Sequence, residues 1–170
     1  MTDGRTFAST ILDQVARRNR TRLVKRLRGH RDTPWMRPYE EDLIRELLAK
    51  LQPMRCPEWG GGLSTLQFPA LLAADARWTS IEHDPSWAET LDEMVTSPQV
   101  AVRNVPADDP TFVGEGTATQ FARYLAAADA DAPYDFIFID GRARAAGVTR
   151  ALDLLTPTGI VVLHDANRDA

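Results

Sequence analysis

The sequence predicts an α/β fold in which a mostly parallel sheet is covered on both faces by helices, and three observations predict it. From residue 54 onward, short apolar runs alternate with stretches of helical spacing, the order that builds a parallel sheet through helical crossovers. Two of the runs, YDFIFI at 134–139 and GIVVL at 159–163, are nearly continuous in apolar residues, many of them aromatic or β-branched, as strands buried on both faces are. Four of the five runs are followed at once by glycine or a polar residue, Gly60, His83, Asp140 and His164, and in open sheets of this kind ligands sit beyond the carboxyl ends of the strands.

Taken in order, Thr6 to about Arg28 has helical spacing, with Phe7, Ile11 and Val15, then Leu23 and Leu27, at intervals of four among many arginines. Three readings stand for this basic helix: packing on the body by its apolar edge, an arm that faces an anion or substrate, and a membrane-surface or targeting segment, against which Asp3 and Asp13 count. Gly29 and Pro34 end it, and Pro34 to Pro38 forms a rigid connector. A second helix is predicted from Glu40 to about Leu51, with Leu43, Leu47 and Leu48 inward. Strands are predicted at roughly 54–59, 78–82, 100–105, 134–139 and 159–163, and helices near 65–74, 86–96, 117–128 and 144–155. Pro57 falls inside the first strand, which is therefore expected to be short or bulged.

Length and composition bound the rest. At 170 residues, 44% hydrophobic and 26% charged, the chain suffices for one domain with a core, read as 38–170, preceded by a basic arm at 1–37. The arm carries ten of the twenty Lys and Arg and three acids, a net +7, against −11 for the remainder, a segregation that bears on partners rather than fold. No apolar run approaches bilayer-spanning length and no secretory signal pattern opens the chain, so a cytoplasmic protein with no transmembrane segment is expected. Cys56 is the only cysteine, which excludes an internal disulfide framework and a zinc site of several thiolates.

The chemistry lies at the strand ends. The first run closes on Glu58-Trp59-Gly60-Gly61-Gly62, with Leu63-Ser64-Thr65-Leu66 opening a helix. Three glycines let the backbone turn sharply and approach a ligand, and Ser64 or Thr65 can cap the helix; a plain glycine-rich turn is the alternative. A nicotinamide-type fingerprint needs glycine where Thr65 stands, and no Gly-Lys-Ser/Thr phosphate loop exists. The second run ends in Ile81-Glu82-His83-Asp84-Pro85, which puts Glu82 24 residues after Glu58, where an acid accepts hydrogen bonds from ribose hydroxyls. Asp84 is expected to cap the helix that follows, and His83 to be a surface histidine.

These features resemble the class I S-adenosylmethionine-dependent methyltransferases. The matching words are EWGGGLSTL at 58–66, SIEHDPSW at 80–87, YDFIFIDGRAR at 134–144 and LLTPTGIVVLHDANR at 154–168, and the resemblance covers roughly residues 40–168. It implies a Rossmann-like three-layer sandwich with strand order 3-2-1-4-5. The cofactor would be S-adenosylmethionine, held by Glu58, Trp59, Gly60, Gly61, Gly62, Ser64 and Thr65 around its methionine part and by Glu82 and His83 at its ribose, with Asp108 flanking adenine. Within the class, IDG followed by a late HD looks most like small-molecule or sugar methyltransferases and their bacterial relatives. Such enzymes continue with a helix and two further strands, whereas this chain stops seven residues after Leu163. The fifth strand is therefore expected as an exposed apolar edge, open to pairing with a second copy.

Asp140 after the fourth strand and His164-Asp165 after the fifth place three titratable groups on the cofactor rim, the expected catalytic residues, with Asp140 also touching cofactor. In catechol-type relatives, acids resembling Asp140 and Asp165 hold magnesium with a following Asn. Here that position is Ala166, with Asn167 one residue late, so magnesium is not the favoured expectation. For Asp140 the alternative is a loop cap before Gly141, and for His164 a strand-end histidine satisfied by backbone. Relatives with IDG-x-H carry histidine where this chain has Ala143, and Arg142 and Arg144 bring cationic donors suited to an anionic acceptor, unless they are solvated surface arginines. The expected function is methyl transfer to an oxygen or other heteroatom of a small, anionic acceptor, and the alternative a catalytically incomplete cofactor-binding or scaffold protein. A nicotinamide-dependent dehydrogenase fails at Thr65, and the acidic body with no aromatic-basic interleaving argues against nucleic acid.

Overall fold

The computed structural model describes residue 34 and residues 36–166. Met1–Asp32 and Thr33–Ala170 separate as two units; the described residues all belong to the second, and the predicted basic helix lies outside them, as does Asn167. In chain order the described residues form α1 (Pro38–Leu51), β1 (Arg55–Trp59), α2 (Leu63–Gln67), a 3-10 turn (Pro69–Leu71), β2 (Arg77–Glu82), α3 (Pro85–Met94) and β3 (Val100–Asn104). These are followed by α4 (Ala122–Ala126), a second 3-10 turn (Asp129–Asp131), β4 (Tyr134–Ile139), α5 (Arg144–Leu154) and β5 (Leu155–Leu163).

The five strands pair in parallel in the order β3-β2-β1-β4-β5, the order the resemblance implies. Parallel pairing puts every strand's carboxyl end on one edge of the sheet. Alternate residues feed two cores. Phe136 and Phe138 of β4 pack with Cys56, Phe68 and Trp78 beneath Ile44 and Leu48 of α1, while Ile137 and Ile139 pack with Trp59, Ile81 and Tyr124 on the opposite face. Burial on both faces explains why these strands read as continuous apolar runs rather than alternating ones.

Pro57 is accommodated by the pairing of β1. Gly60 N donates to Ile81 O on β2, and Asp140 N donates to Trp59 O. Backbone groups along β1 therefore alternate sides, and the N–H that proline lacks faces β4, where pairing begins only at Glu58. Ahead of that point the Asp135 carboxylate stands in for the ladder, accepting from Met54 N at 3.1 Å and Arg55 N at 3.2 Å.

Four expectations are corrected. Leu43 is 57% exposed, and Ile44 and Leu48 form the inward stripe of α1 instead. The helix predicted at 65–74 breaks into α2 and a 3-10 turn because Pro69 brings no backbone donor. The one predicted at 117–128 shrinks to Ala122–Ala126, since the Thr117 and Gln120 side chains bond local backbone in competition with helix. β5 begins at Leu155 rather than 159, with an irregularity between the Tyr134↔Leu155 and Phe136↔Ile160 pairs. No helix among the described residues is long and apolar enough to cross a membrane.

Candidate active site

At the end of β1, Glu58 is fully buried, and its carboxylate accepts from the Ser64 and Thr65 hydroxyls and, at 2.8 Å, from Trp78 Nε1. Burial pushes its pKa up to about 7 against the pull of those three donors. Glu58 thus ties the first turn of α2 to β1 and shapes the glycine loop from below. Gly60 has φ +93°, and a Cβ there would lie 2.4 Å from Gly141 Cα. At Gly61 a Cβ would meet Ser80 Oγ and Leu91 Cδ2, whereas at Gly62 the nearest atom is Ser64 Oγ, 3.7 Å away. Thr65 Oγ1 accepts from Gly62 N at 3.1 Å, and Trp87 Nε1 donates to Gly61 O at 2.6 Å, so the loop is held from both sides.

At the end of β2, Glu82 is buried and its Oε1 accepts from Asp84 N at 2.8 Å. Asp84 caps α3 as predicted, accepting from Ser86 N and Trp87 N. His83 is not a surface residue. Its ring packs edge-on against Phe112, Phe121 and Tyr124, and Nδ1 lies 2.7 Å from Glu82 Oε1 without hydrogen-bond geometry. Tyr124, which sequence reasoning missed, brings its buried hydroxyl against the Gly60–Gly141 contact, beside the Arg142 backbone and short of full hydrogen-bond geometry. Burial, and after it the Glu82 charge, raise its pKa well above the usual phenol value.

The ends of β4 and β5 bring the three predicted catalytic residues together. His164 is 6% exposed, its Nδ1 lies 2.8 Å from Asp140 Oδ1, and its Nε2 lies 3.9 Å from Asp165 Oδ1. A fourth member, Glu40 in the first turn of α1, puts Oε2 3.6 Å from Nε2. Nε2 itself has no hydrogen-bond partner. The bond to Asp140 is the main cause of a raised His164 pKa; burial opposes it, and the charges of Asp140, Asp165 and Glu40 add to it. Neither alternative expected from the sequence, a loop cap at Asp140 or a backbone-satisfied side chain at His164, describes this pair. Ligand atoms of Asp140, His164 and Asp165 lie within 4.8 Å of one another. Asp140 Oδ1 is shared by His164 and the Arg144 guanidinium and the Ala166 side chain offers no oxygen, so a divalent ion here would rest on Asp140 Oδ2, Asp165 and water.

Arg144 is not a solvated surface arginine, whereas Arg142 keeps 38% of its side chain exposed while bonding locally. Arg144, 9% exposed, bonds Glu115 Oε1 and Asp140 O, both at 3.3 Å, and Arg142 bonds Gly114 O at 3.0 Å with its guanidinium over the Phe112 ring. Together they latch the segment after β3 to the loop after β4. Asp108 is paired with Arg123 and accepts from its backbone N at 2.9 Å, which anchors the start of α4. Two pockets open beside Asp165. One of about 360 Å³ lies between α1 and the end of β5, lined by Glu40, Ile44, Val162 and His164 among others, and one of about 800 Å³ lies under the Arg142–Arg144 latch.

A parallel sheet carrying a glycine loop after β1, a buried acid after β2 and a histidine–carboxylate pair after β4 and β5 is the frame in which open α/β sheets bind nucleotide-type ligands. The chain belongs to a methyltransferase-domain family, whose model matches residues 58–166. It is similar to the O-methyltransferase TomG of Streptomyces achromogenes, involved in tomaymycin synthesis and solved with S-adenosylmethionine, at 25% identity and TM-score 0.54, over 75% of this chain and 56% of that one. It also resembles an O-methyltransferase from Bacillus cereus solved with S-adenosylhomocysteine, at 19% identity and TM-score 0.62, over 88% of this chain and 65% of that one. A methyltransferase from Geobacter sulfurreducens matches at 16% identity and TM-score 0.60, over 99% of this chain and 74% of that one. The last two likenesses are of fold alone, and the chain spans 56% to 74% of the length of these three proteins. No curated protein matches its sequence.

Proposed function

We propose that the chain is an S-adenosylmethionine-dependent methyltransferase acting on an oxygen or other heteroatom of a small acceptor, with His164 as the base that takes the acceptor's proton. One observation carries the proposal. Of the six buried side-chain polar atoms that complete no hydrogen bond among the described residues, four gather at the carboxyl edge of the sheet, Glu115 Oε2, Tyr124 Oη, Arg144 Nε and His164 Nε2, while His83 Nδ1 rests 2.7 Å from the Glu82 carboxylate. Buried polar groups are almost always paired, so this concentration marks where bound molecules complete the protein's hydrogen bonding.

The residues present fit the cofactor. Gly60 and Gly61 pack directly on Gly141, Ser80 and Leu91, which sets the tight turn of the loop, and Gly62, with no atom nearer than 3.7 Å to a Cβ, leaves its open side for a ligand. The contacts of Glu82 all engage Oε1, which leaves Oε2 for ribose hydroxyls. When bound, S-adenosylmethionine supplies a sulfonium methyl group: the carbon–sulfur bond breaks as the bond to the acceptor oxygen forms, leaving the thioether S-adenosylhomocysteine. The chain's part is alignment and removal of the proton. Asp140 holds His164 Nδ1 as the donor nitrogen, which makes Nε2 the lone-pair nitrogen, turned to the pocket beneath α1. An anionic acceptor has less support, because Arg142 and Arg144 are committed to Gly114, Glu115 and Asp140.

Calorimetry with S-adenosylmethionine and S-adenosylhomocysteine tests the proposal. Both should bind, and Glu82→Ala should weaken both; absence of binding overturns the cofactor assignment. A cofactor-binding protein without turnover is the second reading, favoured by Ala143 and Ala166, which offer no side-chain donor where relatives carry one. A methylated product from an acceptor screen excludes it.

A further inference from the structure

We propose that Glu115 and Arg144 are positioning residues for the Asp140–His164 pair: a largely buried ion pair that fixes the Asp140 carboxylate, which in turn selects the ring nitrogen of His164 that carries the proton. The inference rests on the reading of His164 as the base and concerns what orients it from behind.

The sheet fixes both backbones and leaves the Asp140 side chain open. Asp140 N donates to Trp59 O at 2.8 Å, and His164 N donates to Ile139 O at 3.0 Å. The Asp140 side chain is 28% exposed, so water competes for its oxygens. Arg144 removes that freedom. Its Nη2 lies 3.3 Å from Asp140 O and 3.5 Å from Oδ1, the oxygen that also faces His164 Nδ1 at 2.8 Å. Contacts from one nitrogen to the carbonyl and the carboxylate of the same residue hold the Asp140 torsions in a way that the bond to His164 alone does not.

Arg144 is itself placed by its neighbours. Ala143, just ahead of it, has φ +50°, a left-handed conformation that strains any residue with a Cβ. With that turn the first residue of α5 is buried against Asp140, at 9% exposure, instead of facing solvent. Glu115 completes the arrangement. Its backbone O accepts from Ala143 N at 2.7 Å, and its Oε1 accepts from Arg144 Nη1 at 3.3 Å. Glu115 also balances the guanidinium charge, so Asp140 keeps its own for the imidazole. A buried pair of this kind adds little net stability, and what it contributes here is geometry.

The test is nitrogen NMR of the imidazole rings in the full chain, in chelator-treated alkaline buffer where the rings are neutral, with His164 assigned among the three histidines by His164→Gln. In wild type the Nδ1–H tautomer should exceed the Nε2–H tautomer by about tenfold or more, the size of one charge-assisted hydrogen bond. Arg144→Met and Glu115→Ala should each lower that ratio at least about threefold, whereas Glu115→Gln, which still accepts from Arg144, should keep it. Arg150→Met removes another ion pair of α5, in which Nε donates to Asp129 Oδ1 at 3.0 Å, and should leave the ratio unchanged. An unchanged or higher ratio in Arg144→Met or Glu115→Ala, or a loss in Glu115→Gln or Arg150→Met as large as theirs, overturns the proposal. Should Arg144→Met fail to fold with Glu115 left unpaired, the double variant Glu115→Gln/Arg144→Met takes its place. No methyl transfer enters the measurement. The ratio shifting as expected in a protein that forms no product upholds the positioning role and counts against the methyltransferase reading, so the two fail separately.

Discussion

Nδ1 of His164 lies 2.8 Å from Oδ1 of Asp140, and the ring's other nitrogen is left buried and unbonded at the pocket. The bond holds the His164 pKa above its ordinary 6.5. The groups that face the ring are Asp140, which also bears Arg144, together with Asp165 and Glu40, beside which stands Arg37. Because the base must be neutral to accept a proton, activity should rise with pH through that raised value. Asp140→Asn should bring the pKa down and move the rise to lower pH, while the lost ring alignment cuts kcat by about 10²- to 10⁴-fold. The His164 ring resonances report the pKa without turnover, and an unchanged value in Asp140→Asn would refute the pairing. The same raised pKa stabilises the fold fully below 6.5, and that contribution is lost as pH rises through the folded value. Asp140→Asn should therefore cost more Tm in acid than in alkali.

Gly60 and Gly62 sit two residues apart in one loop and should respond oppositely to alanine. At Gly60 the added carbon would lie 2.4 Å from Gly141 Cα and N, in backbone at φ +93°. A loss of about 2 to 4 kcal/mol follows from overpacking and left-handed strain together. At Gly62 the backbone is extended and the nearest atom is 3.7 Å away, so the cost stays below about 1 kcal/mol, the size of an N-cap change. Urea unfolding of the two variants settles the contrast.

Glu58 should give the fold a pH dependence of its own. Its folded pKa of about 7 stands above the ordinary 4.5. Stability tied to the bound proton is complete below the unfolded value and lost as pH rises through the folded one, on the order of 3 kcal/mol in total. In Glu58→Gln that decline disappears, because the amide carbonyl keeps accepting from Trp78 and Thr65 without a charge to bury. Denaturant midpoints across this interval measure it. A wild-type profile that does not fall between the two values would mean that the three donors outweigh burial.

Much of this arrangement is legible in the sequence. The places where Glu58, Glu82, Asp140 and His164 stand follow from apolar runs whose period and ends are local properties of the chain, and the strand order from the resemblance that those strand ends carry. What escaped is tertiary. Glu40 reads as an ordinary acid in the first turn of a helix, and only the packing of Ile44 and Leu48 onto the sheet brings it to His164, 124 positions away. Arg142 and Arg144 read as free cations because their partners, Gly114 and Glu115, lie in a loop with no pattern to place it. β5 begins early because Thr156, Pro157 and Gly159 carry turn signals that pairing with Tyr134 overrides.

Tyr124 offers a way to separate a hydroxyl kept for the fold from one kept for a ligand. Its ring is wholly buried among Phe121 and His83, and its Oη, beside the Arg142 backbone, falls short of full hydrogen-bond geometry. A buried hydroxyl without a partner costs about 1 to 3 kcal/mol of desolvation that its removal recovers. Tyr124→Phe keeps the ring and the bond from Trp59 Nε1 to the Tyr124 backbone carbonyl, so the ligand-free protein should be at least as stable as wild type. Its Tm should rise by a few degrees. A lower Tm would show that the hydroxyl has a protein partner in solution, and would remove Tyr124 from the set of atoms that mark the site.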